Sequence, residues 1–184
     1  MNDFHQMHIP PHLGVEFQRT FTCMEYALKA SGDFADGVEK GVSPAWDRFA
    51  NAIDDAFCDL ADKEFQAAVD FLLREPARKE ILTGFGPLSL DPNQTKAQRT
   101  LLVIRTVRNN VTHGAKIQPD GEKEVGRAEK LVASSLTVLN HVVELHDKVR
   151  VKISRLIAFA KTSRTALPLD GVRSEFGKVI SYES

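Results

Sequence analysis

A chain of 184 residues with 42% hydrophobic and 27% charged residues has the make-up of one ordinary globular domain with a substantial core. Its 24 basic residues against 25 acidic ones leave a net charge of −1. That excludes a protein that coats nucleic acid by bulk charge, and leaves room for a local basic cleft. Cys23 and Cys58 both sit in helical patterns and read as buried free thiols in a reducing cytoplasm, not as a disulfide. The start has no basic segment followed by an apolar run, so no signal peptide is expected. No stretch approaches the roughly 18 apolar residues of a membrane span.

Residues 1–13 contain His5, His8, His12, Pro10 and Pro11. Three close histidines can bind a metal, but the prolines keep them off one helical face and no acidic or cysteine partner joins them. An N-terminal arm is the expectation. From Gly14 to Ser31 a helix is predicted, with Val15, Phe17, Phe21, Met24 and Leu28 as its apolar stripe and Gly32 as its end. Glu25 has two uses: a surface pair with Lys29 four residues on, which is the preferred reading, or orientation of an arginine on a later helix. Ser31 to Gly41 reads as a loop, and Ser43-Pro44 as a cap with proline at the first helical position.

Trp46, Phe49, Ile53, Phe57 and Leu60 make the next stripe, extended by Phe65, Ala68, Val69 and Leu72. This is one long helix, or two with a break near Asp62. Its acidic face (Asp47, Asp54, Asp55, Asp59, Asp62, Glu64) reads as solvated, with a basic protein partner as the alternative. Asp54, Asp55 and Asp59 lack a nearby histidine and do not suggest a metal site. Glu75 to Ala97 carries Pro76, Gly84, Gly86, Pro87 and Pro92, and reads as a surface excursion with one short helix near Arg78 to Leu82.

Leu101, Ile104, Val107 and Val111 then recur every three or four residues, so a helix is predicted with that stripe on a core. Arg105, Arg108, Asn109 and Thr112 fall on the polar side. His113 comes one turn after Asn109, and Gly114 suits a helix end. A helix C-terminus favours a protonated imidazole, and histidine exchanges protons near neutral pH. Arginine offers a fork of donors that matches phosphate, and asparagine can hold a hydroxyl or phosphate oxygen. Together they are a minimal kit for phosphodiester chemistry without a metal. The plainer reading is a polar helix end with a surface histidine.

After a turn at Pro119-Asp120-Gly121, a long helical pattern runs from about Lys123 to Ile157, with Val125, Ala128, Leu131, Leu136, Leu139, Val142, Val143 and Leu145 on its stripe. His141 and His146 read as satisfied or surface histidines. From Lys148 to Arg164 six basic residues occur with no acidic one. Lys152 and Arg155 in this run either meet RNA phosphates or belong to a solvated face. The segment from residue 165 reads as a tail. With no repeats and no period-two strand series, the fold class is all-α.

Arg108-Asn109-Asn110-Val111-Thr112-His113 resembles the Arg-Asn-x-x-x-His signature of the HEPN superfamily, and Val107 to Lys116 is similar to the HEPN-like ribonucleases of toxin–antitoxin and phage-defence systems. Phe17 to Lys29 resembles the first helix of that group, and Trp46 to Ala50 is a further match, so the resemblance covers roughly residues 14–147 in order. Thr112 is a departure, since those relatives usually carry a bulkier apolar or aromatic residue before the histidine. The resemblance implies an up-and-down bundle of about four or five helices with the motif helix inside. It also implies a homodimer in which two motif helices form a composite active site, with Val107 or Arg108 near the axis. The activity implied is a metal-independent endoribonuclease, a toxin or defence nuclease, with no cofactor and with RNA and a cognate antitoxin protein as partners. Catalytic roles fall on Arg108, Asn109 and His113, and further RNA contacts on Arg105 and Lys116. The alternative is a non-catalytic HEPN module that binds a nucleotide, RNA or a protein partner.

Overall fold

The computed structural model describes residues 9–38, 41–81, 84–112 and 126–166. Helix α1 (Pro11–Ser31) starts with Pro11 in its first turn, where proline's missing N–H costs no hydrogen bond. It therefore begins three residues before the expected Gly14, inside the segment expected to be an arm. Gly32 ends it at φ +81°, a backbone that a side chain would strain. Ser31 ties this corner together: its Oγ donates to the Leu28 carbonyl at 2.6 Å and accepts from the Phe34 N–H at 3.2 Å.

The expected loop is instead a hairpin, β1 (Ala35–Val38) paired antiparallel with β2 (Gly41–Pro44). A Cβ on Gly37 would lie 2.5 Å from the Gly41 carbonyl oxygen, so the close approach of the two strands requires glycine there. Ser43 and Pro44 lie in β2 and cap nothing. Helix α2 (Trp46–Asp59) begins two residues later, at Trp46.

Helix α3 (Lys63–Arg74) follows a break at Asp62, whose carboxylate caps it by accepting from the Phe65 N–H at 2.7 Å. A second hairpin, β3 (Lys79–Ile81) with β4 (Gly84–Gly86), stands where a short helix was expected. Helix α4 (Lys96–Thr112) opens with a reciprocal capping box: the Gln98 N–H donates to Thr95 Oγ1 at 3.1 Å, and the Thr95 N–H donates to Gln98 Oε1 at 2.9 Å. Asp54 of α2 adds a third acceptor, taking the Ala97 N–H at 3.1 Å. Asp54 is thus a cap for α4, not only part of a solvated acidic face.

Helix α5 (Arg127–Val142), a 3₁₀ turn (Val143–Leu145) and helix α6 (Asp147–Ala166) replace the single long helix expected. The chain is extended at His146 (φ −142°, ψ 114°), and its ring stands edge-on to Phe34 with centroids 4.8 Å apart.

Residues 1–153 form one unit and residues 154–184 a second. The described part of the second is the last turns of α6, on which Phe159 is 71% exposed. In the first, α4 packs against α1, α2, α3 and α5. Phe17, Phe49, Phe65, Leu72, Leu101, Ile104 and Leu139 fill the core between them. Each such side chain contributes about 1.5–3 kcal/mol through burial. The class is mostly helical, with six α-helices among the described residues against the four or five expected.

Candidate functional site

The site is built where the last turns of α4 lie beside α1. Leu101, Ile104, Val107 and Val111 are all buried, as the spacing predicted. Thr106 and Val103 are buried too, because α4 is covered on more than one side. Anchored in this way, α4 has little freedom to rotate, and it directs Arg108 across the neighbouring α1.

Arg108 is held on three sides. Its Nη2 lies 3.4 Å from Glu25 Oε2 of α1, with the two side chains 29% and 25% exposed. Its Nη1 donates to Asn109 Oδ1 at 3.1 Å. Its guanidinium carbon stands 5.2 Å from the centroid of the Phe21 ring, within cation–π range. Phe21 in turn packs on Trp46 at the start of α2, centroids 5.2 Å apart. The arginine therefore rests on the Phe21 ring, itself backed by Trp46, and is oriented by a carboxylate. A guanidinium has five N–H donors, and these two polar contacts engage only two of them.

One turn further on, Gln18 Nε2 donates to Thr112 Oγ1 at 2.8 Å. Gln18 precedes Glu25 on α1, whereas Thr112 follows Arg108 on α4. The two contacts therefore fix the helices antiparallel and lock their register. Thr112 gains a role here that an apolar residue could not fill.

Glu25 takes the second of its two sequence readings. Among the described residues no ion pair joins it to Lys29, and its partner is Arg108. Gln18 escaped notice in the sequence, where Phe21 reads only as part of the apolar stripe. The available signal was their spacing, since Gln18, Phe21 and Glu25 recur at three and four residues on one side of α1.

Arg105, one turn before Arg108, reaches Asp47 of α2 at 3.8 Å. Asn109 is exposed beside Arg108, and Asn110 Nδ2 donates to the Arg78 carbonyl at 2.9 Å, tying α4 to the excursion before it. Val107 is only 3% exposed, so of the two residues expected near a two-fold axis Arg108 alone offers surface. His113 and Lys116 lie outside the described residues, as do His5 and His8. Lys152 and Arg155 are on α6, the first half-buried and the second exposed, and neither forms an ion pair among the described residues.

Three of the named residues, Arg105, Arg108 and Asn109, are thus brought together on α4. Among the described residues no group of three or more His, Cys, Asp or Glu is placed to hold a metal ion. No helix among them is long and apolar enough to cross a membrane. No family model, curated protein or solved structure matches the chain.

Proposed function

We propose that this chain is a metal-independent endoribonuclease of the HEPN type, a toxin or defence nuclease that acts as a homodimer with a composite active site. The observation that carries this reading is Arg108, pinned by Glu25, Asn109 and Phe21 at the last turns of α4, with two of its five N–H donors engaged among the described residues. A fixed, half-exposed guanidinium is suited to a phosphate whose charge grows in the transition state.

The reaction is attack of an RNA 2′-hydroxyl on the adjacent phosphorus. The 2′-oxygen–phosphorus bond forms, and the bond from phosphorus to the 5′-oxygen of the next nucleotide breaks. The 2′-hydroxyl proton passes to a base and the 5′-oxygen receives a proton, leaving a 2′,3′-cyclic phosphate and a 5′-hydroxyl. His113 carries the proton transfer. Arg108 stabilises the phosphorane, Asn109 positions phosphate, and Arg105 and Lys116 hold flanking phosphates. A cognate antitoxin protein would act by covering this cleft.

The second reading is a non-catalytic module that binds a nucleotide, RNA or a protein. It is favoured by the Glu25–Arg108 pair, since a carboxylate already offsets part of the arginine's charge. Cleavage of single-stranded RNA in EDTA by the wild type and His113→Ala separates the two. The catalytic reading expects a loss on the order of 10²-fold or more in the variant. Equal rates in a folded His113→Ala would overturn it, and RNA bound but not cut by the wild type would select the binding module.

A further inference from the structure

We infer that Tyr26 is a base-stacking platform that receives single-stranded RNA beside Arg108, flanked by Arg19 and Lys29 as phosphate contacts. The inference rests on the RNA-directed reading above and names where the strand runs. Arg19, Thr22, Tyr26 and Lys29 recur every three or four residues along α1 and are all exposed. They form one strip about 40–120° around the helix from Glu25, and so border the Glu25–Arg108 pair. Tyr26 is 49% exposed and is the next residue after Glu25.

Two observations favour nucleic acid on this strip. The first is charge. Arg48, Arg105, Arg108, Lys148 and Arg150 each have a carboxylate partner. Arg19 and Lys29 form no ion pair among the described residues; the two carboxylates of α1, Glu16 and Glu25, lie beside the strip, and Glu25 is engaged by Arg108. The second is the ring. About half of Tyr26 lies in water, and an unstacked base can cover an accessible aromatic ring whatever the base's identity. The two cations lie on either side of it, about 15 Å apart along the axis, a span that suits a backbone of several nucleotides. A polyanion with flat faces is complementary to that order of charge, ring and charge. A protein partner would need carboxylates matched to both cations and an apolar pocket for the ring.

The test is binding of a fluorescent, unstructured single-stranded RNA whose 2′-oxygens are methylated, so that it cannot be cut, to the full chain in EDTA, followed by anisotropy. Tyr26→Ala is expected to weaken binding by about 5- to 150-fold, the range for loss of one stacked base. Tyr26→Phe keeps the ring and is expected to bind like the wild type. Tyr26→Leu keeps bulk without the π face and should bind as weakly as Tyr26→Ala. Arg19→Ala and Lys29→Ala should each flatten the slope of log affinity against log salt by about 0.7. Circular dichroism checks that the variants stay folded. Wild-type affinity in Tyr26→Ala, or weak binding in Tyr26→Phe, would overturn the stacking role while leaving the nuclease reading intact. No RNA binding or cleavage by the wild type would overturn both. Loss of dimer with unchanged RNA binding in Tyr26→Ala would make the strip a protein interface and also overturn the inference.

Discussion

Removing either member of the Glu25–Arg108 pair is expected to loosen the joint between α1 and α4, and a double-mutant cycle measures by how much. At their 3.4 Å separation, two unit charges attract by about 5 kcal/mol at an effective dielectric near 20 and by about 1 kcal/mol in water. With exposures of 29% and 25%, the pair lies between those limits. Ordering the glutamate offsets up to about 2 kcal/mol, and desolvation removes a further part. The expected coupling is therefore about 1–2 kcal/mol. Arg108→Ala should cost more than Glu25→Ala, because it also loses about 0.5–1 kcal/mol of contact with Phe21. Urea unfolding of the wild type, both single variants and the double variant gives the coupling directly. Repeating the cycle near 1 M salt should shrink it, since the screening length falls to about 3 Å. A coupling under about 0.3 kcal/mol at low salt would refute the joint and, with it, the orientation of Arg108 on which the site depends.

Three other tests address the frame around the site. Asp54→Ala removes the cap on the Ala97 N–H and should cost about 1 kcal/mol, lowering Tm by about 2–4 °C, whereas Asp55→Ala on the same exposed face should stay within about 0.5 kcal/mol. Equal effects would return Asp54 to the solvated face. The Lys148 ammonium hydrogen-bonds the Asp33 carboxylate at 2.6 Å and holds its pKa below the ordinary 3.8. Because the folded value is the lower one, this contribution to stability is present above pH 3.8 and fades as pH falls through the folded value. Acid unfolding followed by circular dichroism should therefore be less pH-dependent below 3.8 in Asp33→Asn than in the wild type. Finally, a composite cleft requires a dimer, so sedimentation of the pure protein should give twice the chain mass. A strict monomer at high concentration would contradict a shared cleft.

The parts of the fold that were legible in the sequence are those where burial sets a helical period. The stripe from Leu101 to Val111 and the stripe from Phe17 to Leu28 follow from it, whereas the period leaves open whether the chain breaks at Asp62, as it does. The two hairpins were not legible, because strands of three or four residues give no alternating series to read. The one clue was Gly37, whose need for a close backbone approach appears only once its partner strand is known. The α5–α6 break was hidden for the opposite reason. Val138, Leu139, Val142, Val143 and Val149 are all buried at helical spacing, so the pattern runs on through the 3₁₀ turn. What stops the helix is His146, extended and stacked edge-on to Phe34, a contact between distant parts of the chain. The site divides in the same way. Arg105, Arg108 and Asn109 could be placed on one helix from spacing alone. In the sequence Glu25 is already a residue that could orient an arginine, and Phe21 part of the apolar stripe, but Gln18 and the aromatic support under Arg108 become visible only when α1 is set antiparallel to α4.

The central claim is that Arg108 serves phosphodiester cleavage by an RNA 2′-hydroxyl. The most direct measurement is the single-turnover cleavage rate of single-stranded RNA by wild type and Arg108→Ala in excess EDTA, with product ends identified and DNA of the same sequence as control. Wild-type products ending in 2′,3′-cyclic phosphate, intact DNA and a loss on the order of 10²-fold or more in Arg108→Ala are expected. A folded Arg108→Ala that cleaves at the wild-type rate, or a wild type that cuts only when a divalent ion is returned, would contradict it.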